Sequence, residues 1–425
     1  MRILITDDTP TDWDSQKISF YVEEHKGGAP LKPSDFSATG FPVIPKKAIQ
    51  ASNELIIKKQ TYCTDKFAAG NTRSVVNSSY TITTLRDLVP TGPTIGTVVN
   101  FNSDKQYILS QGVYGLKLRD NIDRNYFAYL SNTGPYRKIM RRVMVGSTQV
   151  HIRTPEYLNL EIQTPPLPEQ QKIANILSVW DKAIRTIEKL IVTSKQQKKS
   201  LIQQLLTGKN RLVNPETGKT FEGKWELKKL KNLCDINPEK PSKPLDGIVS
   251  FIPMTNISED GHIIHLEDKL YDDVSKGFTS FVDNDVIIAK ITPCFENGKG
   301  AFISGLNNGI GFGSTEYHVL RAKNKTHPKF IYYLTRTSEL LAKGEMNMQG
   351  SAGHRRVTAD YFNAYKVNTP PYGEQQKIAS VLTSADREIE LLETKLEHFK
   401  QEKKALMQQL LTGKKRVKVD KLEVA

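Results

Sequence analysis

Two stretches of the chain carry the same spacing of apolar positions. From Glu169 they fall alternately four and three residues apart, at Ile173, Leu177, Trp180, Ile184, Ile187 and Ile191, and the stripe resumes at Leu201 and Leu205. From Glu374 they fall at Ile378, Leu382, Ala385, Ile389, Leu392, Leu396 and Phe399, and resume at Leu406 and Leu410. A mean spacing of about 3.5 residues is the seam of a coiled coil. Each stretch opens with Thr-Pro-Pro, which disfavours helix before it begins, and Pro168 stands where a first helical residue belongs. Each closes on a glycine, Gly208 or Gly413, at the position of a helix stop. The pattern predicts two long helices, the first running from Glu169 to Leu206 for ~57 Å at ~1.5 Å per residue. Neither can bury its stripe alone. The nearest partner is the other copy, as an antiparallel coiled coil; the alternative is pairing with helices of other subunits.

The two stretches are copies. Residues 164–211 and 369–416 align without a gap at an offset of 205 residues, with about half of the positions identical, which makes the chain a tandem duplication. The flanks repeat more faintly. Trp13 in DWDSQKIS matches Trp225 in KWELKKLK, GSTQVHIRTPEYL resembles GSAGHRRVTADYF, and FAYL echoes IYYL. The predicted organisation is a globular block over 1–163, a helix over 164–211, a linker over 212–223, a second block over 224–368, a second helix over 369–416 and a tail over 417–425. Turn signals at 27–30, 71–73, 91–96 and 132–135 break the first block into short elements. Strand candidates in the second are Ile248–Pro253, Asp285–Ile291, Gly300–Ile303 and Tyr317–Arg321. The expected fold class is α+β, with two globular domains, each followed by a long helix, and a pseudo-twofold internal repeat.

Composition sharpens this only in part. A chain of 425 residues accommodates two or three domains, each able to bury a core. The net charge of +14 favours a polyanion as partner. Cys63, Cys234 and Cys294 are far apart and form no CxxC pair, which excludes a disulfide framework and a sequence-local zinc site. The opening MRILITDDTP turns polar and acidic at once, unlike a secretory signal, and apolar runs such as Val286–Ala289 are too short to span a bilayer. A cytoplasmic protein is expected.

Enzyme motifs are weak. Gly309, Gly311 and Gly313 form a GxGxG run without the acidic residue that a nucleotide site needs, and Thr217–Thr220 reads TGKT without the upstream glycine of a phosphate loop. Asp260, Glu267 and Lys269 mimic a nuclease spacing that is common by accident. No HExxH or similar metal spacing occurs. Thr369–Tyr372 reads TPPY, lacking the amide or acid that adenine methyltransferases place before the two prolines.

A variable block, then PPLPEQQKIA opening a helix, then QQLLTGK, and the same again, resembles the specificity subunits of type I restriction–modification systems. The resemblance covers essentially the whole chain and rests on Pro165–Ala174 with Leu205–Lys209, and on Pro370–Ala379 with Leu410–Lys414. It implies that each block is a target recognition domain reading one half of an asymmetric, bipartite DNA sequence. It further implies that the helices set the gap between half-sites and dock two modification subunits. Those subunits would bind S-adenosylmethionine and methylate adenine, and restriction subunits would supply the nuclease and translocase. This chain would itself be non-catalytic and hold no cofactor or metal.

On that reading, base and phosphate contacts come from Arg, Lys, Asn, Gln and His on loops or helix starts. Candidates in the first block are Lys46, Lys47, Arg73, Arg137, Arg141, Arg142 and Gln149. Those in the second are Lys290, Asn297, Lys299, His354, Arg355 and Arg356, with the turn Gly350–Arg356 favoured for its backbone freedom and paired guanidinium groups. Ser194, Lys198 and Lys403 interrupt the helix stripes. They read as a solvated face or, alternatively, as contacts to a partner subunit or DNA phosphate.

Overall fold

A computed structural model of the chain describes residues 2–3, 10–50, 53–351 and 353–419, so most of the expected tail, 420–425, lies outside the described residues. The chain divides into two compact units: Met1–Glu188 together with Lys395–Ala425, and Lys189–Thr394. The two long helices are continuous, Leu167–Leu206 and Tyr372–Leu410, and each contributes one part to each unit. The glycines beyond their ends take the left-handed conformation that closes a helix, with φ of 71° at Gly208 and 74° at Gly413.

The first unit contains a four-stranded antiparallel sheet in the order Val98–Asn100, Tyr80–Thr84, Val113–Leu118, Val22–Gly27. A five-stranded sheet runs in the order Phe36–Ser37, Thr61–Cys63, Phe41–Ile44, Tyr107–Leu109, Val75–Val76, with a parallel pair at its centre. Helices Arg124–Ser131 and Gly134–Val143 supply Tyr126, Phe127, Leu130, Tyr136 and Met140 to the main core. Ile173 and Leu177 of the first long helix join that core, and so do Leu410 and Leu411 from the end of the second. Burying side chains of this size contributes ~1.5–3 kcal/mol each.

The second unit has the same plan. One antiparallel sheet runs Cys234–Ile236, Tyr317–Ala322, Val286–Ala289, Gly300–Phe302; another runs Glu267–Leu270, Ile248–Ile252, Ile310–Gly313, Thr279–Val282, with Ile248–Ile252 and Ile310–Gly313 parallel. Helices Pro328–Thr335 and Ser338–Met346 correspond to the helix pair of the first unit. Its core takes Ile378 and Leu382 from the start of the second long helix and Leu205 and Leu206 from the end of the first. Of the GxGxG run, Gly309 ends a short turn and Gly311 and Gly313 lie in the strand Ile310–Gly313; the TGKT run lies in a small hairpin closed by the Val213–Thr220 bridge.

Within each unit the two helix segments run antiparallel. In the first, Glu169 meets Arg416, Asp181 meets Lys403 and Glu188 meets Lys400; in the second, Glu374 meets Arg211, Asp386 meets Lys198 and Glu393 meets Lys195. The second set is the first moved by the repeat offset. Lys198 and Lys403 therefore do not form a solvated face. Their side chains are only 13% and 19% exposed, and each ammonium is spent on an aspartate of the facing segment. Charges paired inside a seam fix register more than they add stability. Of the other stripe positions, Ile187, Ile191 and Ile389 are buried, while Trp180, Ile184, Leu392 and Leu396 are half-buried. Trp180 meets Phe399 edge to face, with ring centroids 5.3 Å apart.

Candidate nucleic-acid interface

In the first unit the strand Tyr80–Thr84 runs into a loop that pairs with a second segment, Arg86 opposite His151 and Asp87 opposite Val150. Between Val145 and His151, themselves bridged, the chain turns at Gly146, whose φ of +115° and closeness to the Gln149 carbonyl leave no room for a side chain. Two hubs hold the loop, buried Asp87 and half-buried Arg137. The Asp87 carboxylate accepts bonds from Lys46 Nζ at 2.8 Å, from the Thr94 hydroxyl at 2.8 Å and from the Thr94 amide at 3.1 Å. Burial opposes its ionisation, but these donors outweigh burial and hold its pKa down at about 2. The Arg137 guanidinium donates to the carbonyls of Gly92, Pro93 and Ile95 and to the Thr97 hydroxyl.

Lys46 and Arg137 are thus committed to shaping the loop. Groups left facing outward are Arg141 and Arg142, in the last turn of helix Gly134–Val143, Lys47 beside Lys46, and Gln149, which accepts a 2.8 Å bond from Arg86. Arg86 was not singled out by sequence, although its partner strand repeats at the offset of 205. Arg73 is exposed on the turn preceding Val75–Val76 and is not gathered with this set.

The second unit builds the equivalent feature on the hairpin Val286–Ala289 and Gly300–Phe302. Ile291 bridges Arg356, as Arg86 pairs with His151 one repeat earlier, and Gln349 closes the turn on Arg356. Ala352 within that turn lies outside the described residues. The Lys290 carbonyl accepts the Val357 amide at 2.9 Å and the Arg355 carbonyl accepts the Thr292 amide at 3.0 Å. Lys290, Asn297, Lys299, His354, Arg355 and Arg356 therefore surround one hairpin tip. The Arg356 guanidinium holds the Glu316 carboxylate at 2.8 and 2.9 Å, and that bond keeps Glu316 below the usual carboxylate range. Arg355 lies 3.9 Å from Glu296, while His354 and Asn297 are exposed. Beneath the turn, buried His318 donates Nε2–H to the Val357 carbonyl at 2.9 Å; burial pushes its pKa down, so it stands neutral.

The near-copied residues do a different task. Glu374 is fully buried and accepts bonds from Arg211 Nε at 2.8 Å, Arg211 Nη2 at 2.7 Å and Trp225 Nε1 at 3.0 Å. Glu169 takes Arg416 at 2.8 and 2.6 Å, and Arg416 also grips Asp12. Gln170 accepts the Asp123 amide and donates to the Pro165 carbonyl, both at 2.9 Å; Gln375 does the same to His327 and Pro370. Gln170 and Gln375 thus tie each long helix to the start of the block's own helix pair, while Glu169 and Glu374 tie it to the arginine just beyond the end of the other long helix. Tyr129 and Tyr333 add bonds to Asp181 and Asp386 at 2.6 and 2.7 Å. The sequence signal for this latch was an acid and an arginine at the two ends of each copy.

A family profile described as the type I restriction modification DNA specificity domain matches residues 10–194 and again 222–401. The chain belongs to the type I restriction–modification DNA specificity family. The putative type I restriction enzyme MjaX specificity subunit of Methanocaldococcus jannaschii is 25% identical over 423 residues, covering 96% of this chain and 95% of that one. The type I restriction enzyme EcoAI specificity subunit of Escherichia coli is 42% identical over 156 residues, 36% of this chain and 26% of that relative, so the match spans about a quarter of the latter's length. The crystal structure of the type I restriction–modification S subunit from M. genitalium superposes with a TM-score of 0.56 at 14% identity, over 95% of this chain and 97% of that one, which shows a shared fold. In this specificity-family chain, no helix among the described residues is long and apolar enough to cross a membrane. Nor do three or more His, Cys, Asp or Glu side chains gather to hold a metal among them.

Proposed function

We propose that the chain is the DNA-recognition subunit of a type I restriction–modification complex and reads a split, asymmetric target. One observation carries the reading. In a chain whose two halves both match the specificity family, the same turn-and-strand feature recurs one repeat apart, ringed by different side chains. Arg141, Arg142, Lys47 and Gln149 suit one half-site; Lys290, Asn297, Lys299, His354 and Arg355 suit another. The two tips differ in charge and shape, so the half-sites differ. Phosphate contacts by the exposed cations supply affinity, in keeping with the net charge of +14.

The long helices set the gap between half-sites and seat two modification subunits, which bind S-adenosylmethionine and methylate adenine. Restriction subunits join them to cut. The chain contributes recognition and no catalysis, and works in the cytoplasm. Its test is co-expression with the modification subunit of its own operon, followed by mapping of methylated adenines by single-molecule sequencing. A bipartite motif whose gap changes when residues are inserted into a long helix supports the reading. One continuous palindrome, or label transfer from S-adenosylmethionine to DNA by this chain alone, refutes it.

A further inference from the structure

The strand that leads into each long helix has the same place in both units, as Glu161–Thr164 and as Lys366–Thr369. In the first unit both of its edges are covered. Asp14–Lys17 pairs with it antiparallel, and Arg2–Ile3 pairs with it parallel, Arg2 opposite Glu161 and Ile3 opposite Ile162. In the second unit Glu226–Lys229 covers the first edge, and the sheet ends there with two strands among the described residues. Edge strands carry a row of outward N–H and C=O groups that template a further strand.

Against this two-stranded sheet lies a groove of about 960 Å³, lined by Leu227 and Lys366–Asn368 of its two strands, by helix Ser338–Met346 and by the end of the first long helix. Helix Ser338–Met346 is the counterpart of Gly134–Val143, and Gly134–Val143 is the helix that flanks Arg2–Ile3 in the first unit. The groove therefore stands where the first unit holds its N-terminal strand. Its apolar lining includes Ile202, Leu206 and Leu341; its exposed cations Lys199, Lys343 and Lys366 share the lining with the exposed carboxylates Glu259, Asp260 and Glu339, of which Asp260 is paired with Lys195 and Glu339 with Lys343. The Lys343–Glu339 pair spans one exposed helical turn and competes weakly with an incoming carboxylate.

We propose that the second unit binds an extended segment of another polypeptide as an added strand, parallel to Lys366–Thr369, in this groove. The segment has a short apolar run followed by acidic residues, the character of Met1–Asp8, which reads MRILITDD. Backbone pairing supplies affinity and the side-chain pockets supply selectivity. A second copy of this chain is not the donor, because its own N-terminal strand is already seated in its first unit.

The test titrates a fluorescein-labelled MRILITDD peptide into the intact chain and into a chain lacking residues 1–9, read by anisotropy. The expected result is one saturable site on the intact chain and two on the shortened one. Leu341→Glu weakens the intact chain's site at least tenfold and leaves one site on the shortened chain. Gln203→Trp fills the groove from an exposed helical position and gives the same loss if Leu341→Glu melts its helix. No saturable binding to the intact chain, or binding that both variants leave unchanged, overturns the proposal. Concentration-dependent dimers of the intact chain that dissolve on adding peptide overturn it as well, by seating a second copy in the groove.

Discussion

Replacing Arg211 by alanine tests the latch where it is most exposed to quantitative reasoning. The Glu374 carboxylate is fully buried and receives three hydrogen bonds, two of them from Arg211 along with its only charge partner in the latch. Removing one member of a buried ion pair costs ~3–5 kcal/mol, because the charge left behind is uncompensated. The Arg211 side chain is about a quarter exposed, which places the expected cost at the lower end, ~3 kcal/mol. The double variant Arg211→Met, Glu374→Leu should recover most of that, since it removes both charges; it leaves the Trp225 N–H without its acceptor, at ~1 kcal/mol, and the exposed Gly223 carbonyl, which loses its Arg211 donor, free to bond water. The assay is urea unfolding of the intact chain with hydrogen-exchange mass spectrometry, so that the second unit is followed separately from the first. A two-unit chain need not unfold in one step. A loss below ~1 kcal/mol for Arg211→Ala, or a double variant equal to the sum of the single ones, would show that the pair does not behave as a buried latch.

Four further outcomes follow from the same geometry. Arg137→Ala should cost ~1.5–3 kcal/mol and speed amide exchange over residues 92–97. Arg141→Ala and Arg142→Ala should leave stability within ~0.5 kcal/mol and each lower the salt slope of DNA binding by about 1; equal behaviour of the three arginines in both assays would contradict the division drawn here. Stability should fall with acid through His318. Its folded pKa lies below its unfolded value of about 6.5, so the contribution is complete above that pH and is lost as pH falls through the folded pKa; His318→Gln should flatten the fall between pH 7 and 5 in thermal melts. Lys403→Met should cost less than Arg211→Ala, because Asp181 keeps the Tyr129 hydroxyl at 2.6 Å and is one-fifth exposed, and matching melting temperatures for the two variants would refute that ranking.

What sequence reveals here follows from period and from duplication. The 3.5-residue stripe and the flanking Pro and Gly locate both helices to within a few residues, since these signals are local. The strands Ile248–Ile252 and Tyr317–Ala322 were likewise readable from β-branched runs between turns. Polar positions inside the stripe were misread, because a lysine's neighbour across the seam is set by register, which one strand of sequence does not contain. Arg137 and Lys46 have the residue types of phosphate ligands but serve loop carbonyls and Asp87, and only tertiary contact distinguishes those uses. Arg86 lacked any local mark and stands out only when the pairing of residues 86 and 151 is set beside that of 291 and 356.

Leu410, Leu411 and Arg416 complete the core and latch of the first unit, although the whole of Lys189–Thr394 lies between them and Glu188. During synthesis the order of completion is thus inverted. The later-encoded unit has all of its residues off the ribosome first, and the earlier one waits with Ile173, Leu177 and Trp13 uncovered until the last helix emerges. A stop codon just before Lys395 would therefore injure the unit encoded at the other end of the gene and spare the one beside it.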